Sequence, residues 1–235
     1  MRFACSHRGP EMWWSQNATI EDWFDEMVGQ ANILNRFANV RMSDIRGIRV
    51  PFLRVGWNRQ FLMMKEFGFV YDSSMVAPLS NRPLWPYTLD YQMPHSCTGV
   101  NQNCPSRSYA GIWEMVINQL EVGEYSCGMI DTCPPHLSGD DIYRMLTHNF
   151  KRHYLSNRAP YGLYFHAAWF KKVDYLNAFL VGIANFYAST FFYKYQTFCR
   201  NSSRTCKSCP MSILSPNNRP LNGCVSRRPP INCIS

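Results

Sequence analysis

Polar side chains stand at or just past the ends of two short apolar runs in this 235-residue chain. Arg49 lies in the β-branched run 45–50, and Asp72 follows the apolar run 69–71. In parallel α/β folds, ligands and catalytic groups lie just beyond the carboxyl ends of the strands. Arg49, Asp72 and, farther along the chain, Asp90 are therefore the first candidates for a functional role.

Two other kinds of site are considered and set aside. The sequence Asp72-Ser73-Ser74 suggests a serine nucleophile, but no Gly-x-Ser-x-Gly elbow surrounds it, so we expect structural hydrogen bonds at a strand end instead. Four histidines without metal-ligand spacing are assigned to loops or helix faces: His95, His136, His148 and His153.

The segments around the first candidates predict a parallel βαβ unit. Residues 45–50 and 69–71 have the composition of strands, and residues 58–67 have apolar side chains at helical spacing, with Gly68 placed to end the helix. A strand, a helix and a strand in fewer than thirty residues form such a unit.

Capping boxes mark the starts of two longer helices. Thr19 with Asp22 precedes apolar positions at three- and four-residue spacing over 20–39, and Ser138 with Asp141 precedes a similar pattern. The remaining predicted elements are strands at 112–117 and 163–165, a helix from Val173 and a Pro-rich ordered loop over 76–110.

The charge is distributed unevenly along the chain. There are 24 basic and 16 acidic residues, for a net charge of +8. Seven of the basic residues lie after Leu180 with no acidic residue among them, which leaves 17 basic against 16 acidic residues before that point. A folded domain that binds nucleic acid needs a basic face, and the first 180 residues are nearly neutral. We therefore predict no nucleic-acid partner.

Ten cysteines favour an oxidising compartment. Four of them form two close pairs, Cys97/Cys104 and Cys127/Cys133; three pairings are possible, and local pairing closes the two smallest loops. Asn17-Ala18-Thr19 has the form of a glycosylation acceptor, which agrees with secretion. The first residues contain no apolar run of the length expected for a signal peptide, and no segment has the length and apolarity of a membrane span.

Four separated motifs resemble insect chitin deacetylases of carbohydrate esterase family 4. In the family's order they are RGIRVPFL from Arg46, YDSSM from Tyr71, PLWPYTLDY from Pro83 and PYGLYFHAAWF from Pro160. The resemblance extends from about residue 6 to residue 180 and is absent after that.

The resemblance implies an α/β fold, an irregular (β/α) barrel of the polysaccharide deacetylase type. The sequence supplies about four strand candidates, whereas a closed barrel needs about eight. We therefore expect an incomplete barrel over residues 1–180, followed at 181–235 by a basic, loop-rich Cys/Pro/Ser tail. An alternative is a truncated product whose open sheet edges prevent folding.

The resemblance also implies a divalent metal, zinc by preference, held by one Asp and two His. The base and the metal Asp belong to a Thr-Phe-Asp-Asp motif, which does not occur in this chain. Aligning the His-x-x-x-His pair places its second histidine at His7 and its first at Phe3, which cannot bind a metal. His7 is then the one metal candidate, and a catalytic zinc needs about three protein ligands.

Three catalytic roles follow from the same resemblance. Arg49 would hold the base Asp, Asp90 would orient the catalytic histidine, and His166, at the end of Leu-x-x-His, would be the general acid. The residues expected to bind the sugar are Phe52, Trp85, Tyr91 and Trp169. Burial in a core is the alternative for these aromatic side chains and for a lone histidine.

The implied function is metal-dependent hydrolysis of the N-acetyl amide of N-acetylglucosamine in chitin by a secreted enzyme. Because the base, the metal Asp and one His are absent from the sequence, we expect this chain to be inactive as it stands. The alternative function is chitin binding without cleavage.

Overall fold

The computed structural model describes residues 3–4, 18–99 and 102–201, with side chains at 18–99 and 102–190. Contacts divide the chain into two units, residues 1–187 and 188–235, and all packing described below lies in the first. His7 lies outside the described residues, as does the tail from residue 202. The domain boundary at residue 180 stays a prediction.

The elements follow one another in a mixed order of strands and helices. The strands are β1 Phe3–Ala4, β2 Gly47–Ile48, β3 Tyr71–Asp72, β4 Val76–Ala77, β5 Tyr87–Thr88, β6 Trp113–Glu114, β7 Ile117–Asn118, β8 Leu120–Val122 and β9 Tyr125–Cys127. The α-helices are α1 Ile20–Ala38, α2 Trp57–Glu66, α3 Gly139–Leu155 and α4 Val173–Asn201. Short 3₁₀ turns are Met42–Asp44, Pro51–Leu53, Ile130–Thr132 and Ala167–Lys171.

A five-stranded sheet carries the first candidate residues. Strands β1, β2, β3 and β6 lie parallel in that order, and β5 adds to β6 in the antiparallel sense. The register places Ile48 beside Asp72 and Asp72 beside Glu114. Gly47 is required here, because a Cβ atom at this position would lie 2.0 Å from the ring of Tyr71.

Two buried clusters hold the elements together. The first packs α1 and α2 on the sheet through Trp23, Met27 and Phe61, which are fully buried. The second packs α3 and α4 with the β8–β9 hairpin, around Leu146 and Ile142. Burying each large apolar side chain contributes roughly 1.5–3 kcal/mol.

Both predicted capping boxes are confirmed. The side chains of Thr19 and Asp22 bond each other's backbone N–H groups at the start of α1, and Ser138 and Asp141 do the same at the start of α3. Each box satisfies two backbone donors that a helix start leaves without a partner. The predicted βαβ unit is also present, as β2, α2 and β3.

Mixed helix and strand structure is observed, but the described strands form three separate sheets and no closed barrel. Besides the main sheet, β4 pairs with β7 and β8 pairs with β9. The incomplete polysaccharide deacetylase barrel therefore remains a prediction.

Two predictions about secondary structure are wrong. Residues 163–165 form no strand; Tyr164 O accepts one backbone bond from Ile130, and Phe165 packs against Phe179 of α4. Residues 181–201 are helical where irregular backbone was expected. Four buried positions of α4 keep helical spacing: Tyr175, Ala178, Gly182 and Phe186.

The local cysteine pairing is the one the structure adopts. Cys97 bonds Cys104 and Cys127 bonds Cys133. Among the described residues, no helix is long and apolar enough to cross a membrane.

Candidate active site

Arg49 follows β2 and is fixed by two kinds of contact. Its Nε donates to the carbonyl oxygen of Ser73 at 2.7 Å, and its Nη2 donates to the hydroxyl of the same residue at 2.7 Å. The guanidinium carbon lies 4.5 Å from the ring centroid of Tyr164, a cation–π distance. Arg49 therefore joins the end of β3 to the segment that leads to His166.

Asp72 is the centre of a buried hydrogen-bond network at the end of β3. Its side chain accepts from Gln60 Nε2 at 3.0 Å, from the backbone N–H of Ser74 at 2.9 Å and from the Ser74 hydroxyl at 2.8 Å. The Ser74 hydroxyl accepts in turn from the backbone N–H of Val50 at 2.9 Å. This network ties the chain after β3 to the chain after β2, next to Arg49.

Neither serine beside Asp72 is placed to act as a nucleophile. Ser73 and Ser74 are buried, and the Ser73 hydroxyl donates to the carbonyl oxygen of Met115. The prediction of structural hydrogen bonds at this strand end is confirmed, and the fully buried Asp72 belongs to the same framework.

Glu114 lies beside Asp72 across the β3–β6 ladder and is equally buried. Burial raises the pKa of Asp72 to about 6, while hydrogen bonds from Glu114 and Ser74 and the charge of Arg49 oppose that shift. The pKa of Glu114 is raised well above its ordinary value by burial, then by the charge of Asp72 and their hydrogen bond.

His166 meets a carboxylate that sequence reasoning did not single out. Its backbone N–H donates to Asp131 Oδ2 at 2.8 Å, and its ring Nδ1 lies 2.5 Å from the same oxygen. The imidazole is 76% exposed. An acceptor at Nδ1 selects the Nδ1–H tautomer and leaves Nε2 as the nitrogen that gives or takes a proton.

Asp131 lies in the 3₁₀ turn Ile130–Thr132, between Cys127 and Cys133. Its Oδ1 is buried and has no hydrogen-bond partner among the described residues. The sequence offered one signal for this contact, because Asp131 is the only acidic residue between Cys127 and Cys133. No sequence pattern predicted that it lies next to His166.

Asp90, which was expected to orient His166, lies in the segment after β5. Its Oδ1 accepts from the backbone N–H of Gly111 at 3.1 Å. Hydrogen bonds from the Thr88 side chain and from Gly111 lower the pKa of Asp90. In the described structure, the carboxylate bonded to the His166 ring belongs to Asp131.

The four aromatic candidates divide by exposure. Phe52, Trp85 and Tyr91 are 58%, 53% and 80% exposed, whereas Trp169 is half-buried between Phe165 and Tyr175. Phe52 also has φ 56° and ψ 17°, a left-handed conformation that costs a non-glycine residue about 1–2 kcal/mol.

No model of a known protein family matches the chain. Individual proteins do match. The chain is 50% identical over 187 residues to chitin deacetylase 1 of Bombyx mori and 34% identical over 170 residues to chitin deacetylase 8 of the same organism. This chain is a homologue of insect chitin deacetylases. The matches cover 76% and 70% of the chain.

The homologue spans only part of these chitin deacetylases, 34% of the first and 44% of the second. Among its described residues, no group of three or more His, Cys, Asp or Glu side chains could hold a metal ion. The zinc site expected from the resemblance and the metal role of His7 therefore remain predictions.

Proposed function

We propose that this chain is a chitin deacetylase-like protein whose site acts on the N-acetyl amide of N-acetylglucosamine units. The observation that carries the proposal is the exposed His166 ring, with Nδ1 against Asp131, in a homologue of chitin deacetylases. A histidine with one nitrogen held and the other free has the geometry of a general acid–base group.

In this proposal His166 protonates the leaving amine. Hydrolysis adds water to the amide carbonyl and then breaks the carbonyl–nitrogen bond, which releases acetate; the sugar amine leaves easily only if its nitrogen takes up a proton. The Nε2–H of a protonated imidazole supplies that proton, and Asp131 stabilises the positive ring until transfer.

Arg49 supplies a fixed positive charge beside the same segment. Because Ser73 and the Tyr164 ring hold its guanidinium, its position costs little further ordering when a substrate or a carboxylate approaches. In the resembled family this side chain holds the base Asp; that base belongs to a motif absent from this sequence.

The exposed aromatic rings of Phe52, Trp85 and Tyr91 are the proposed contacts with the sugar faces. Trp85 is held at one edge of its ring, since its Nε1 donates to the carbonyl oxygen of Asn157 at 3.1 Å. Trp169 contributes less in this proposal, because neighbouring aromatic side chains already cover part of it.

A metal ion would polarise the amide carbonyl and activate water if one were bound. Because the described residues lack a metal-ligand group, no step of the reaction is derived through zinc. We further propose that the protein is secreted, as its two disulfides favour, and that its polysaccharide partner is chitin.

The second candidate function is chitin binding without cleavage. Three exposed aromatic side chains, in described residues without a metal-ligand cluster, favour it. A chitin pull-down separates this candidate from nonspecific adsorption: the Trp85→Ala/Tyr91→Ala variant should be depleted from the bound fraction, and equal retention of parent and variant would reject it.

Acetate release from chitin oligomers, measured with and without added zinc, tests the leading proposal. Two proteins are compared: this chain and the same chain carrying a grafted family amino terminus with the Asp-Asp pair and both metal histidines. We expect release by the graft alone. Failure of a folded graft would reject the enzymatic proposal, and release by the parent would reject the expected inactivity.

A further inference from the structure

The turn that carries Asp131 lies between two bonded cysteines. Cys127 and Cys133 are six residues apart and buried, with 6% and 7% of their surface exposed. Inside the turn, Thr132 N–H donates to Met129 O and Cys133 N–H donates to Ile130 O. These bonds are local, so they shape the turn without fixing it to the rest of the protein.

One cysteine of the pair belongs to an anchored hairpin. Cys127 ends β9 and pairs with Leu120 of β8. The neighbouring Glu121 donates its backbone N–H to Asn149 Oδ1 at 2.9 Å and accepts from Asn149 Nδ2 at 2.9 Å. Asn149 is fully buried in α3. The disulfide therefore links the Asp131 turn covalently to a hairpin that is fastened to α3.

At the other end of the turn, His166 depends on Asp131 for its ring orientation. The ring is mostly exposed, so packing restrains it little, whereas one Asp131 oxygen meets both its backbone N–H and its Nδ1. Ile130 N–H donates to Tyr164 O at 2.8 Å and aligns the two segments. The orientation of the His166 ring therefore depends on the position of the turn that carries Asp131.

We propose that the Cys127–Cys133 disulfide is a positioning element for His166. It holds the Asp131 turn against the hairpin, and the Asp131 carboxylate then selects the Nδ1–H tautomer and the ring orientation. The catalytic importance of this brace rests on the proposed function; the positioning itself is a property of the folded chain. Without the bond, the segment 127–133 gains conformations in which Asp131 leaves His166.

The test is histidine nitrogen NMR on two double variants of the full chain. Cys127→Ala/Cys133→Ala removes the proposed brace, and Cys97→Ala/Cys104→Ala removes a disulfide of nearly equal loop length, seven residues apart instead of six. In the first variant we expect the His166 Nδ1 and Nε2 resonances to move to the averaged position of a ring exchanging between both tautomers. In the second they should stay at the parental position.

Unchanged His166 resonances in a folded Cys127→Ala/Cys133→Ala protein would overturn the proposal, because burial of Ile130 alone would then hold the turn. Equal changes in both double variants would also overturn it, as they would reflect general destabilisation. Neither readout requires acetate release, so failure of the enzymatic proposal leaves this test intact.

A second measurement covers the case in which the first variant does not fold. The disulfides of the parent protein are reduced stepwise with dithiothreitol. Alkylation and mass spectrometry identify which disulfide has been reduced, and hydrogen exchange is followed at the amides of Ile130 and His166. Opening Cys127–Cys133 should speed exchange at both amides about tenfold, the effect of losing one hydrogen bond. Exchange at the parental rate in that reduced species would refute the brace.

Discussion

Two pairs of neighbouring ionisable side chains in the described structure differ chiefly in their access to water. Asp72 and Glu114 are fully buried side by side in the β3–β6 ladder, with pKa values raised by burial. Asp131 and His166 are hydrogen bonded to each other, and the imidazole is 76% exposed. The buried pair lies in the sheet and the exposed pair joins a 3₁₀ turn to the segment after it.

This difference separates two tasks. The buried carboxyl groups have no access to solvent, and the hydrogen bonds around Asp72 fix the ends of β2 and β3 next to the serine that holds Arg49. A proton at Nε2 of His166 exchanges with the solvent and can be transferred. Removing the buried pair should therefore change stability, and removing the exposed pair should change activity.

The largest expected effect is on catalysis. Replacing His166 with Ala in the grafted deacetylase should lower acetate release by about 10²–10⁴-fold, the usual contribution of a general acid. The free energy of unfolding should change by no more than about 0.5 kcal/mol, because the side chain is mostly exposed. Retained acetate release would show that the exposed pair has no acid–base role.

The buried pair should give the opposite result. Asp72→Ala leaves Gln60 Nε2 and the Ser74 backbone N–H without their acceptor, and we expect a loss of about 2–4 kcal/mol in unfolding free energy. Asp131→Ala is the matched control in the exposed pair and should cost less. Urea denaturation of both variants measures the contrast, and equal losses would remove the distinction between the pairs.

Short-range signals allowed much of the fold to be predicted. The two capping boxes, Gly68 after α2 and the βαβ spacing are all local patterns, and each element they predict is present. The strand predicted at 163–165 failed because strand formation depends on a partner far along the chain. The helix beyond Leu180 was not predicted, because apolar residues also occupy exposed positions such as Leu180, Val181 and Tyr187 and obscure the helical period in the sequence.

The candidate site was predicted in part, for the same reason. Arg49 and His166 were found from motifs at fixed local spacing. The partner of His166 is 35 residues away and was assigned to Asp90 by resemblance, whereas the contact belongs to Asp131. Glu114 could not be predicted from local spacing, because only the pairing of β3 with β6 brings it beside Asp72.

A pH series sharpens the comparison. Both buried carboxyl groups have raised pKa values, so the folded state holds protons that the unfolded state releases. Their stabilisation is complete below their ordinary values of 3.8 and 4.5 and is lost as pH rises, for Asp72 through about 6. Unfolding free energy should then fall by up to about 1.4 kcal/mol per pH unit for each proton.

The Asp72→Asn/Glu114→Gln variant controls for the titration of other ionisable groups. Burial lowers the pKa of His95 and His153, which gives stability that rises with pH and opposes the trend. Subtracting the variant's unfolding free energy from the parent's at each pH removes that contribution. A difference that does not change between pH 4 and pH 7 would show that the buried pair carries no shifted proton.

The smallest expected effect separates Asp90 from Asp131. Asp90→Asn removes the acceptor charge at Gly111 N–H but leaves the carboxylate at His166 in place, so the histidine nitrogen resonances should stay parental. Asp131→Asn should move them, since a neutral amide is a weaker acceptor for Nδ1–H than a carboxylate. If Asp90→Asn moves the His166 resonances instead, the role implied by the resemblance is correct and the contact with Asp131 does not orient the ring. That outcome would also remove the reason for a disulfide brace, because the 127–133 turn would then hold no partner of His166.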